Sequence, residues 1–212
     1  MGLDWNPLGR PRPGCEAEFT RLFEEFLRTQ GNERDESLKR FQAISQPAFE
    51  LLGAPRVGID IAADNWLRDR FTANGHPEKF DEKRRSMHGY YVLDLLPPCD
   101  GFPWYTNYRT YEGLDRYSFR GQFLKDVADV IGATLLEQAY TPMLARDLLQ
   151  YGTELSAVAR RYAQHHNVEH VRDGKPPEYD EESPATRAHI LFAAGKWCIY
   201  WANRGHGLEP WW

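Results

Sequence analysis

The sequence predicts a mainly α protein, a single-domain bundle of six to eight helices carrying one long, aromatic, mostly irregular insert over about 88–117. Three observations predict it. Apolar residues recur at helical spacing through most of the chain, and caps, glycines and prolines divide those runs into segments of helix length. One stretch breaks the pattern: nine aromatic rings fall in the thirty positions from Tyr90 to Phe119, about twice the chain-wide share of 14%. Pro97, Pro98, Gly101, Pro103 and Gly113 forbid a long regular element there. Such an insert either fills a core the helices leave open or lines a concave site.

Residues 1–14 hold Pro7, Pro11 and Pro13 and read as an extended N-terminal arm, with Trp5 and Leu8 available for burial on the body or on a second subunit. Residues 15–212 are expected to form the single helical domain, although the length also admits two small ones. The first helix places Phe19, Leu22, Phe23, Phe26 and Leu27 on one face and charged residues on the other, with Gly31 as its stop. A second helix from about Asp35 through Leu52 is expected to kink or split at Pro47. Asp60 caps a third, with Trp66, Leu67 and Phe71 inside, and Gly75 and Pro77 open a short charged one.

Beyond the insert, Ser118 is the expected cap of a helix carrying Phe119, Phe123, Val127 and Ile131. Thr141-Pro142 reads as the cap and first residue of a long helix reaching the histidines at 165 and 166, with Gly152 as a weak point. Ser183-Pro184 repeats that start for the last helix. There Ile190, Leu191, Ala194, Trp197, Cys198 and Trp201 surround enough of the circumference to make it central. The tail LEPWW is too apolar to extend into water.

The totals narrow the function classes. Net charge is -5, from 26 basic and 31 acidic residues, and the basic ones come as scattered pairs such as Arg84/Arg85, so no nucleic-acid face is expected. Cys15, Cys99 and Cys198 are few and widely spaced, which fits reduced thiols in a cytoplasmic protein, and a bacterial source is expected. The longest apolar run, Ile190 to Ala202, contains Lys196, so no membrane span is expected. No cofactor fingerprint occurs: GxSxG, Walker A and Rossmann glycine patterns are all missing from the sequence. Oligomeric state is left open.

Two constellations could carry chemistry. Asp94 stands between Leu93 and Leu95, so its burial calls for a partner, and Arg120 could supply one. The pair would then be either structural or the polar end of a ligand pocket walled by Tyr91, Trp104 and Tyr105. Asp100, in PPCDGFP, fits a turn in which it bonds nearby backbone amides. The second constellation is His166-Asn167-Val168-Glu169-His170, an HxxEH string that resembles the inverted zincin motif. That resemblance implies His166 and His170 as zinc ligands and Glu169 as general base. A histidine near a helix C-terminus is also favoured by the helix dipole alone.

The leading expectation is a non-enzymatic protein that binds a protein partner or a ligand through the aromatic insert, for instance to neutralise a toxin. The alternative is a small enzyme, either a metal-dependent hydrolase using the HxxEH string or one working in an aromatic pocket around Asp94 and Arg120.

Overall fold

The structure, a computed structural model, describes residues 2–96, 105 and 117–211. It is mainly α, with eight α-helices among the described residues: α1 Glu16–Arg28, α2 Gly31–Ala43, α3 Ala48–Leu52, α4 Ile61–Ala73, α5 Phe80–Ser86, α6 Ala128–Gln138, α7 Ala145–His166 and α8 Pro184–Ala202. Four short strands accompany them: β1 Asp4–Leu8, β2 Arg10–Pro11, β3 Ser45–Gln46 and β4 Gly207–Trp211. The chain divides into two compact units, one of residues 1–48, 101–105 and 119–212, the other of residues 49–100 and 106–118.

In the first unit α8 is central, as its composition requires. Ile190, Leu191, Ala194, Trp197, Cys198 and Trp201 are all fully buried, and the half-buried Lys196 reaches out to the carbonyl of Arg172 and the carboxylate of Asp173, each at 2.7 Å. α7 lies against α8 at closest approach where two glycines face each other. A Cβ on Gly152 would sit 2.5 Å from the Cβ of Cys198 and 3.1 Å from the carbonyl oxygen of Gly195. The glycine that weakens α7 as an isolated helix is therefore what lets the two helices touch.

The arm is extended, and its hydrogen bonds go to the body. β1 pairs antiparallel with β4, Trp5 opposite Pro210, and the Trp5 main chain also exchanges two bonds with Phe119, at 2.7 and 2.9 Å. The Trp5 ring is fully buried, with Phe119, Trp197 and Tyr151 at centroid distances of 5.0, 5.6 and 5.9 Å. A second cluster joins α1 and α2 through Leu8, Phe19, Leu22, Phe23 and Phe41.

Several boundaries differ from expectation. Gly31, with φ of 57°, opens α2 instead of closing α1. The predicted second helix splits at Pro47, and Ser45–Gln46 pairs with Arg10–Pro11 between the pieces. The helix expected to start at Ser118 does not begin there: Phe119 pairs with Trp5, and the next turn is a 3-10 helix over Gly121–Val127 with Arg120 at its N-cap position. α7 begins at Ala145, three residues after Pro142, since Met143 exchanges two backbone bonds with Leu208, at 3.0 and 2.9 Å, and must stay extended. In the tail Leu208 is buried, while Trp211 is 61% exposed.

The second unit has its own small core of Val57, Ala63, Leu67 and Val92, with Trp66, Phe71, Phe80 and Met87 packed on it. Asp64 organises its entry loop, accepting from the Gly58 amide at 2.7 Å and from Arg84 Nε at 2.6 Å. Gly58 has φ of 75° and faces the His88 ring, so no side chain fits there. Asp60 stands at the α4 N-cap position but turns its carboxylate back to the Arg56 amide, at 2.7 Å.

Candidate functional site

The described part of the first unit contains a groove of about 770 Å³, formed where β2, β3, the start of α1, the start of α7 and the end of α8 meet. Its walls combine apolar and cationic groups. Phe19 and Leu144 supply the apolar side, and Arg10, Arg146 and Arg204 the positive one. Glu16 and Asp147 also line it, and each is engaged: Glu16 Oε1 accepts the Gly14 amide at 3.2 Å, and Asp147 Oδ1 lies 3.5 Å from Arg146 Nε.

The arginines are held by neutral partners. Arg10 donates from Nε and Nη2 to Gln46 Oε1, at 2.9 and 2.8 Å, and from Nη1 to the Arg204 carbonyl at 3.3 Å. Arg204 stacks on the Tyr200 ring, its guanidinium carbon 3.5 Å from the centroid, and donates to the Tyr200 carbonyl at 3.1 Å. Neither guanidinium has a carboxylate within ion-pair distance among the described residues. The groove also receives the start of α7, where no side chain caps the helix and the first-turn amides at 145–147 lack an intrahelical partner.

Beside Arg10 and Arg204 lies His206, fully buried in the turn between α8 and β4. Its Nδ1 is 2.9 Å from the Leu8 carbonyl, so Nδ1 carries the proton, while Nε2 is buried without a partner. Burial lowers its pKa, and the two guanidiniums push the same way against the single bond to Leu8. His206 is thus a neutral imidazole next to two permanent cations.

The residues predicted to form a site around the insert fall in both units. Tyr105 belongs to the first unit and is core: it packs on Phe123 at 4.7 Å and Phe119 at 6.3 Å, and burial pushes its phenol up to about 12. Arg120, in the same unit, has Asp4 as its acidic neighbour, at 4.0 Å. Asp94 and Tyr91 belong to the second unit. Asp94 is half-buried on a 3-10 turn between buried Leu93 and exposed Leu95, and accepts a bond from the Trp66 indole at 3.1 Å. Tyr91 packs on Phe49 at 4.3 Å. Trp104, Cys99 and Asp100 lie outside the described residues.

The HxxEH string is not one helical face. α7 ends at His166, Asn167 takes the left-handed conformation with φ of 57°, and Glu169 and His170 fall on a separate 3-10 turn. The i, i+4 relation that would aim two imidazoles at one ion is lost at that break. His166 instead stacks on Tyr162 at 4.3 Å, and no group of three metal-ligating side chains gathers among the described residues.

Sequence reasoning missed the groove because its cations stand at positions 10, 146 and 204, in three contexts that look like ordinary surface. The pairing of β2 with β3, the start of α7 and the turn after α8 bring them to one groove. No known protein family, no curated protein and no solved structure matches the chain. No helix among the described residues is long and apolar enough to cross a membrane.

Proposed function

We propose that this chain is a binding protein without catalytic chemistry of its own, and that the groove of its first unit receives the ligand or a segment of a protein partner. The observation that carries this reading is the groove itself: about 770 Å³ of concave surface with an apolar wall and a few polar groups fixed by their own hydrogen bonds. Ligand sites have that size and that mixture. The two carboxylates in it, Glu16 and Asp147, have Gly14 and Arg146 as neighbours.

The test blocks the groove from a surface position. Thr20 is exposed on α1 and lines it, so Thr20→Trp fills it without touching the core. Small molecules and proteins retained from the native host should be enriched by the natural chain and lost from the folded variant. Equal retention by both would refute the reading.

A second reading concerns the second unit, which leaves Ile59, Ile61 and Tyr90 at 50%, 79% and 56% exposure. Apolar groups so exposed suit a protein partner. Ile61→Asp would abolish capture of such a partner while Thr20→Trp would not.

A further inference from the structure

From the charge arrangement in the groove we infer the class of ligand it takes: an organic anion, a carboxylate or phosphate group joined to an apolar body. The inference rests on the groove being a binding site at all. Arg10 and Arg204 are two fixed positive charges at one concave surface, tied only to an amide oxygen, to carbonyls and to a ring face. The groove's three arginines, Arg10, Arg146 and Arg204, exceed its two carboxylates, Glu16 and Asp147, by one charge, and neither Arg10 nor Arg204 has a carboxylate within ion-pair distance among the described residues, so an incoming anion would meet net positive potential there.

Donor accounting gives the same answer. A guanidinium has five N–H groups. Arg10 uses three, leaving two, and Arg204 uses one, leaving four. The start of α7 at the groove, uncapped by any side chain, adds the positive end of a 22-residue helix. Buried His206 cannot serve as a counter-charge, because it is neutral and already bonded to Leu8. Phe19 and Leu144 line the same groove and set the other half of the ligand: the anionic group sits at Arg10 and Arg204, and the apolar body lies against the apolar lining.

Calorimetric titration of the full chain with octanoate, octyl phosphate, octanol and octyltrimethylammonium tests the inference. Octanoate, octyl phosphate or both should bind saturably, and whichever binds more tightly identifies the head group. Affinity should fall when salt rises from about 50 to about 500 mM. Arg204→Met keeps a long stem over Tyr200 and should weaken the anions by about tenfold or more, while Arg28→Met, on the exposed face of α1, should not. Octanol binding as well as octanoate, with no effect of Arg204→Met, would overturn the anion class but leave the groove as a binding site. Failure of all four probes to bind would count against the groove and the inference together.

Discussion

The indole N–H of Trp5 donates to the carbonyl oxygen of Ala139, 134 residues later, at 2.8 Å, and both residues are fully buried. This bond fastens the N-terminal arm to the end of α6, and the ring around it is packed by Phe119, Tyr151 and Trp197. Trp5→Phe keeps most of the apolar body but strands the Ala139 carbonyl, and should cost about 1–3 kcal/mol. Trp5→Ala also empties a core position and should cost about 3–5 kcal/mol. Urea unfolding of the two variants measures the difference; a near-neutral Trp5→Ala would mean that the arm is not part of the first unit's core.

The α7–α8 contact predicts an inversion of helix propensity. Alanine is the better helix former, yet Gly152→Ala should destabilise by about 1–3 kcal/mol, because its Cβ would collide with Cys198 and the Gly195 carbonyl. Thermal unfolding checks it. A stabilised Gly152→Ala would place the two helices farther apart than described.

The pH dependence of stability has a sign that His206 and His189 share. Burial holds both folded-state pKa values below the ordinary 6.5. Between the folded and unfolded values the unfolded chain binds more protons, so stability rises with pH there. The contribution is complete above about 6.5 and is lost as pH falls toward the folded values. Half-buried Glu209 acts in the opposite sense, since its raised pKa favours the folded state below its ordinary 4.5 and that contribution fades as pH rises. His206→Asn retains a donor for the Leu8 carbonyl and cannot titrate. The stability of this variant should vary less than that of the natural chain between about pH 5 and 7, with Glu209 common to both. Identical slopes would refute a neutral buried His206.

The break in the histidine string is testable at Asn167. A β-branched residue is poorly tolerated at φ of 57°, so Asn167→Val should destabilise by about 1–2 kcal/mol and Asn167→Gly should be close to neutral. A continuous helix through His170, as a zinc motif needs, would make Asn167→Val the milder change.

How much of this was legible in the sequence depended on the range of the interaction. The helices were legible because their apolar faces are local: Phe19, Leu22 and Phe23 predict α1, and the all-round apolar face of residues 190–201 predicts the central α8. Errors fell where a distant strand won the backbone. Met143 is extended for Leu208, and Phe119 for Trp5, although Thr141-Pro142 and Ser118 carry the local chemistry of helix starts. The same applies to the site. Asp94 stands between leucines in the sequence, yet Leu95 is exposed, and the donor at Trp66 lies 28 residues earlier, a distance no local pattern spans. Arg10 and Arg204 become neighbours only through the β2–β3 pairing and the turn after α8, which no periodicity reveals.

Amide chemical-shift mapping during titration with octanoate, or with a ligand recovered from the host, tests the groove most directly. The account predicts that the resonances that move belong to Arg10, Gln46, Ala145, Arg146 and Gly205, around the groove. Shifts confined instead to Trp66, Tyr91 and Asp94 would put the binding site in the second unit and contradict it.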